Sequence, residues 1–254
     1  MMLRTISVYT YLAGYLIFSA PLRAKHRRME QVDSYKQQWE SQRSVQGALK
    51  RILKMSGVEL EVKGQEHVPD DTAVLYVANH RSYFDIVTGY AAVKNKMGFI
   101  GKVELAKVPM LGEWMRLTGS LFLDRKDIKQ GLQTILKGID RVQTGTSMWI
   151  FPEGTRNESE DICELMQFRE GSLKIAEKSG CPVIPVAITG TREVYENPFP
   201  KIVPGKVTIE FGEPIYIKEL PPDYKKRAGA YTRDRIAELL DKEREIRKLE
   251  ITRK

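Results

Sequence analysis

The chain has 254 residues, enough for one large domain or a domain with an appendage, and 42% of them are hydrophobic, enough for a sizeable core. Cys163 and Cys181 stand far apart without C-x-x-C or metal-type spacing, which argues against a disulfide framework and for a reducing compartment. The net charge of +8 is uneven: residues 1–60 hold ten Lys/Arg against four Asp/Glu, a net of +6, so the rest supplies only +2. Such asymmetry points to an N-terminal segment that meets a polyanion, either nucleic acid or an anionic membrane.

Thr5 to Leu22 contains no charged residue, and as a helix it would extend roughly 27 Å, close to a bilayer core of about 30 Å. Two Ser, two Thr, three Tyr, a Gly and a Pro make the run a marginal span and a good interfacial helix, lying in one leaflet rather than crossing. Phe18-Ser19-Ala20 is not a small-x-small cleavage site, so a signal peptide fits poorly. The basic cluster Arg23, Lys25, His26, Arg27, Arg28 follows directly, as a cytoplasmic flank or a patch for anionic headgroups. Helical pattern continues to about Ser56, with Val45, Ala48, Leu49, Ile52 and Leu53 on one stripe and Gly57 as the stop. An apolar helix beside a basic amphipathic one selects a membrane over nucleic acid. The bland alternative is that both pack on the domain with their charges solvated.

From Val58 strands and helices alternate. Strand-like runs are Val58–Val62, Thr72–Ala78, Gly98–Gly101, Leu121–Asp124, Ser147–Phe151, Val183–Ala187 and Val207–Phe211. Helical patterns lie near Phe84–Val93, Ala106–Leu117, Ile128–Gln143 and Gly171–Lys178. The expected fold is α/β: a mixed, largely parallel central sheet flanked by helices, preceded by an N-terminal two-helix membrane-binding segment. The expected division is a membrane-association segment at 1–57, an α/β domain at 58–230 and a C-terminal surface helix at 231–254, whose thin apolar stripe is Ile236, Leu239, Leu240 and Ile246.

Two strand ends carry candidate chemistry. After Thr72–Ala78 come Asn79 and His80, with Asp85 five residues beyond His80. Ser82-x-x-Asp85 reads as a capping box. The same fold-back would bring Asp85 to His80, fix the ring tautomer and leave the other nitrogen as a base. The remaining histidines, His26 and His67, sit in less structured contexts. After Ser147–Phe151 come Pro152, Glu153, Gly154, Thr155 and Arg156. Gly154 permits a turn, Arg156 suits a phosphate, and Glu153 would hold Arg156 or a substrate hydroxyl; a tight turn with a surface ion pair is the alternative. Lys102 and Arg125 each follow an apolar run and would add charge at the same strand-end crevice, unless they are merely solvated. Val183-Ile184-Pro185-Val186 reads as a core strand with its proline at an edge. No G-x-S-x-G, G-x-x-x-x-G-K-[ST] or H-E-x-x-H is present, so a serine hydrolase or nucleotide-driven enzyme has no support.

Four stretches stand in order: Asn79-His80-x4-Asp85; Gly101…Pro109…Gly112…Gly119…Phe122…Asp124-Arg125; Phe151-Pro-Glu-Gly-Thr-Arg156; and Val183-Ile-Pro-Val186. This ordered set, over roughly residues 60–215, resembles the glycerolipid acyltransferase family, the bacterial 1-acylglycerol-3-phosphate acyltransferases most closely. The resemblance implies a lysophosphatidate acceptor, an acyl-CoA or acyl carrier protein donor, and phosphatidate as product. His80 would be the general base and Asp85 its orienting partner, with no covalent acyl-enzyme, metal or further cofactor. Glu153, Gly154, Thr155 and Arg156 would form the acceptor site, with Lys102 and Arg125 as phosphate neighbours. The expected location is the cytoplasmic face of the cell membrane, held through residues 1–57, with no nucleic-acid partner. A relative using glycerol 3-phosphate or another lysophospholipid is the alternative, as is a non-catalytic lipid-binding module.

Overall fold

A computed structural model describes residues 2–252. Three helices open the chain: α1 (Met2–Phe18), α2 (Ala20–Glu30) and α3 (Ser34–Ser56). An α/β unit follows: β1 (Val58–Lys63), β2 (Leu75–Ala78), α4 (Phe84–Ala92), β3 (Met97–Lys102), α5 (Leu111–Leu117), β4 (Leu121–Leu123), α6 (Ile128–Gln143), β5 (Ser147–Ile150), α7 (Lys174–Ser179), β6 (Val183–Thr189), α8 (Thr191–Val194) and β7 (Gly205–Phe211). The short α9 (Pro222–Lys225) and the long α10 (Ala228–Thr252) close it. All seven expected strands form one sheet in the order β1-β7-β6-β2-β5-β3-β4. Every pairing is parallel except β6 with β7.

The central strands are short continuous apolar runs because both faces are covered. Leu75, Val77, Met148, Ile150, Val183 and Ala187 point to one face, which α6, α7 and α10 cover. Val74, Tyr76, Ala78, Trp149, Ile184 and Val186 point to the other, against the α3 side. Connections from the neighbouring strands β2 and β5 therefore leave on opposite faces: α4 joins the second face and α7 the first. Open α/β sheets form their ligand crevice at such a switch point, outside the carboxyl ends of the strands.

Pro185 departs from the sequence expectation, since β6 lies in the sheet interior between β7 and β2. Its missing N–H is tolerated because residue pairing with β7 runs only over Val186–Thr189 and resumes at the Val183–Ile215 bridge, so Pro185 sits at a gap in the ladder where only its carbonyl is engaged, by the Gly212 amide (2.8 Å).

The N-terminal segment also differs. The apolar run does not continue to Leu22 as one helix: it breaks at Ser19, and α1 and α2 are bent by 49°. Among the described residues no single helix is long and apolar enough to cross a membrane, although the bent pair together passes that test of length and composition. The bend is held by buried polar contacts. Arg23 donates to Glu113 (2.7 Å), to the Leu16 carbonyl (2.7 Å) and to Ser19 Oγ (2.8 Å), and Trp114 Nε1 donates to Ser19 Oγ (3.1 Å). Part of the basic cluster is thus structural, not a headgroup patch.

The stripe on α3 is not offered to lipid either: Ala48, Ile52 and Leu53 are buried in the domain. A second, polar face of α3 is buried too. Gln37 and Gln38 donate to the carbonyls of Leu117 and Thr118, and Gln42 bridges the Asn95 carbonyl and the Met97 amide. Gly57 ends α3 in the left-handed region (φ 70°), as expected. The C-terminal helix is more than a surface element, since Ile236 and Leu240 are fully buried in the core and Glu243 pairs with Lys63 and Arg247. The last two residues of that expected segment lie outside the described residues.

His26, expected in a less structured context than His80, is 1% exposed on α2 and packs edge-on against Trp114 with neither ring nitrogen hydrogen-bonded. Burial first, and then the Lys25 charge, push its pKa below the ordinary histidine range, with Glu40 opposing. The folded protein therefore keeps His26 neutral to lower pH than the unfolded chain, which protonates below about pH 6.5. Stability from this site is present above that pH and is lost as pH falls. The thermal midpoint of the wild type is expected to fall below about pH 6.5 more steeply than that of His26→Leu; parallel slopes in the two proteins would contradict this.

Candidate active site

The crevice at the carboxyl ends of β2 and β5 is built around one carboxylate. β2 ends at Ala78, and Asn79 extends its tie to β6 through two bonds to Ile188, donating to its carbonyl (2.9 Å) and accepting from its amide (2.8 Å). The chain then turns through His80–Tyr83 into α4. The expected capping box forms only in part. Ser82 Oγ accepts from the Phe84 amide (2.9 Å), while Asp85 folds back to accept from the amides of Ser82 (2.7 Å) and Arg81 (2.7 Å). The same oxygen, Oδ2, lies 2.9 Å from His80 Nδ1, and Oδ1 accepts from Thr191 Oγ1 (2.6 Å). Asp85 is fully buried, and four donors surround its carboxylate.

With Nδ1–H given to Asp85, the lone pair of His80 lies on Nε2. That nitrogen has no hydrogen-bond partner among the described residues, and the side chain keeps 14% exposure. The ring is stacked on Phe151 at a centroid distance of 4.1 Å and 17° between planes. His80 is therefore gripped on its face by an aromatic ring and on its edge by a carboxylate, with one nitrogen free.

The second strand end supports the first. Glu153 is buried and does not reach Arg156, as one reading of the sequence expected. Its Oε1 accepts from the His80 amide (2.8 Å) and its Oε2 from the Met166 amide (3.1 Å). Burial pushes the Glu153 carboxyl up, and these amides oppose the shift. The Asn157 amide donates to the His80 carbonyl at 2.7 Å, so both backbone groups of His80 are fixed by the segment after β5. Gly154 supplies the turn, with φ 81° and its amide on the Phe151 carbonyl (3.1 Å). Thr155 is exposed, and its side chain makes no hydrogen bond among the described residues.

The expected cations do not form one cluster. Arg156 leans towards the β6 side of His80, over the Tyr83 ring (4.1 Å), and pairs with Glu196 (3.2 Å). Lys102, at the end of β3, pairs with Glu104 (3.2 Å) at an exposed position. Arg125, beyond β4, has no ion pair among the described residues; desolvation and then the like charge of Arg169 lower its pKa. Arg169 lies over Gly154, where a Cβ would stand 3.2 Å from its Nε. The crevice is thus flanked by Arg156 on one side of His80, and by Lys102, Arg125 and Arg169 on the other.

Sequence reading missed Thr191 and Arg169. Thr191 follows β6 through Gly190, whose φ of 87° and close approach to Lys206 admit only glycine, but nothing local marks this threonine as the partner of a residue 106 positions away. Arg169 follows a long connection from β5 and carries no motif of its own. Among the described residues no group of three or more His, Cys, Asp or Glu is placed to hold a metal ion.

The structure is thus an α/β protein with a His–Asp pair at the carboxyl end of an interior strand, at the switch point of its sheet. The acyltransferase family profile matches residues 59–189, and the chain belongs to that family. A 1-acyl-sn-glycerol-3-phosphate acyltransferase of Haemophilus influenzae is 30% identical over 74% of this chain and 79% of its own length. One of Saccharomyces cerevisiae is 27% identical over 80% of this chain and 66% of its own. The crystal structure of the 1-acyl-sn-glycerophosphate acyltransferase of Thermotoga maritima superposes with a TM-score of 0.81 at 26% identity, covering 96% of this chain and 95% of that one.

Removing one donor from the Asp85 carboxylate is expected to loosen His80 without touching substrate. Thr191→Val should lower kcat of acyl transfer by about tenfold while each KM stays within about twofold, and Thr191→Ser should restore it. A kcat equal to wild type in Thr191→Val would remove Thr191 from the site.

Proposed function

We propose that this protein transfers an acyl chain from an acyl thioester, on CoA or acyl carrier protein, to the sn-2 hydroxyl of 1-acyl-glycerol 3-phosphate, giving phosphatidate. The carrying observation is the His80–Asp85 pair, with Nδ1 2.9 Å from the carboxylate and Nε2 free. The names of the relatives supply the acceptor. Nε2 takes the proton of the hydroxyl as the oxygen bonds to the thioester carbonyl carbon. The tetrahedral intermediate then collapses, the C–S bond breaks, and the sulfur leaves with the proton held by the imidazolium. Asp85 keeps the ring in register and stabilises that imidazolium. Among the described residues no serine or cysteine side chain hydrogen-bonds His80, in keeping with direct transfer and no acyl-enzyme. No further cofactor takes part.

The acceptor's phosphate meets Arg156 beside His80, with Lys102, Arg125 and Arg169 adding positive potential from the other side. Glu153 and Gly154 shape the loop that carries Thr155 and Arg156. Binding to the cytoplasmic face of an anionic membrane, in one leaflet, is the work of α1 and α2. Their outer surface exposes Leu3 (81%), Ile6, Ile17 and Phe18 (82%) beside Lys25, Arg27 and Arg28.

Incubation with lysophosphatidate and an acyl thioester, following thiol release and phosphatidate, tests the reaction. Release that needs the acceptor is expected; release without it means a thioesterase, and no release with either donor means a lipid-binding module. In a folded His80→Ala protein, kcat/KM should fall about 10²–10⁴-fold, and retention of most activity would end the base assignment.

Arg156→Ala is expected to raise KM for lysophosphatidate about tenfold while leaving the donor KM within about twofold. Because α3 is part of the core, the membrane reading is tested by exposed substitutions. Ile17→Glu with Phe18→Glu should abolish sedimentation with anionic vesicles yet spare activity on detergent-dispersed substrate, and a variant that still sediments would refute it.

A further inference from the structure

Helix α6 carries more apolar surface than its packing uses. Its core side is supplied by Thr134, Gly138 and Val142, with Ile135 and Ile139 partly buried against the first face of the sheet. Beside that side runs a second row, Ile128, Leu132 and Leu136, at i, i+4 and i+8, which is 89%, 61% and 56% exposed. A helix that served only to cover the sheet would be polar there. The row is bordered by Lys126, Lys129 and Lys137, none of which is in an ion pair among the described residues. Asp127 is turned into the helix start, where it accepts from the amides of Lys129 (2.9 Å) and Gln130 (3.1 Å), and the acidic Asp140 stands one turn beyond Leu136.

The position of this row narrows its occupant. α1 packs with α3 and α4 on one side of the sheet, whereas α6 packs on the other. A bilayer that takes the outer surface of α1 and α2 therefore lies across the sheet from α6, which leaves this face to a water-borne partner. A second copy of this chain would bring the same three lysines against each other. The α6 start follows the carboxyl end of β4, and the row β2-β5-β3-β4 separates it from His80 by three strand spacings, about 14 Å. A thioester on an extended pantetheine arm spans that gap.

Resting on the acyl-transfer reading above, we infer that Ile128, Leu132 and Leu136, rimmed by Lys126, Lys129 and Lys137, form the docking surface for an acidic acyl carrier protein. The lipid acceptor then enters from the membrane side and the protein-borne donor from the opposite face. The apolar row takes the carrier's apolar contact, and the lysines steer its acidic helix.

Full-length protein is assayed with lysophosphatidate and the same acyl chain on CoA or on acyl carrier protein. Leu132→Glu with Leu136→Glu, and separately Lys129→Glu with Lys137→Glu, are expected to raise KM for the carrier-borne donor about tenfold or more. With acyl-CoA both variants should keep kcat and KM within about twofold of wild type, which also reports that they fold. The inference is overturned if wild type uses acyl-CoA but not the carrier-borne donor. It is equally overturned if the variants slow both donors alike or leave both unaltered. Loss of vesicle binding with donor kinetics unchanged would assign the row to the membrane. Wild type inactive with both donors would sink the acyl-transfer reading itself, a result separate from all of these.

Discussion

A buried carboxylate must collect enough donors to replace its water, or it costs the fold several kcal/mol. Asp85, on α4, meets this demand by drawing on two other parts of the chain: His80, Arg81 and Ser82 after β2, and Thr191 after β6. Each charge-assisted bond is worth about 1.5–3 kcal/mol. The requirement to satisfy one side chain therefore fixes the end of β2, the start of α4 and the start of α8 relative to one another. The orientation of the His80 ring is a by-product of the same demand. Stability and the proposed chemistry share these contacts.

Around this centre, the segment after β5 acts as a frame. Glu153 and Asn157 fix the backbone of His80, and Phe151 fixes the face of its ring. The frame is tied down in turn by Arg81, which is buried and donates to the carbonyls of Ser159 and Asp161, and by Arg192, which donates to those of Glu158 and Ser159. Two arginines thus satisfy backbone oxygens of a loop that has no regular structure of its own. Cations stand on both sides of His80, so that in the proposed reaction a phosphate and a thioester would approach without competing for one place.

The N-terminal helices join this frame rigidly. Arg23, Ser19, Glu113 and Trp114 hold the α1–α2 bend, and the glutamines of α3 hydrogen-bond main-chain groups at the start of β3 and at the end of α5. Buried glutamines paired to backbone add about 0.5–1.5 kcal/mol each and, more than that, fix the register of α3 on the sheet. The apolar outer surface of α1 and α2 is consequently presented at a set angle to the crevice, as the proposed membrane contact requires.

How much of this was legible follows from how far each signal reaches along the chain. Seven strand-like runs marked seven strands, the central ones because a strand buried on both faces is written as consecutive apolar residues, and Ile128–Gln143 was marked by its helical pattern. His80 and Asp85 were legible because five residues at a strand-to-helix turn return a carboxylate to the ring by local geometry alone. The links from Thr191 to Asp85 and from the His80 amide to Glu153 were not, because they are made through strand order, which no local pattern encodes. Pro185 was read as an edge residue, and only the gap opposite it in the β7 ladder explains its place inside the sheet. The same limit applied to α3, whose polar face reads as solvated until the carbonyls that receive it are in view. By itself the sequence determined the elements, the family and the His–Asp pair, all set by contacts within a few residues. Only the tertiary structure decided where the arginines point, which glutamines and carboxylates are buried, and which apolar surfaces remain open, because those depend on what a distant segment brings against them.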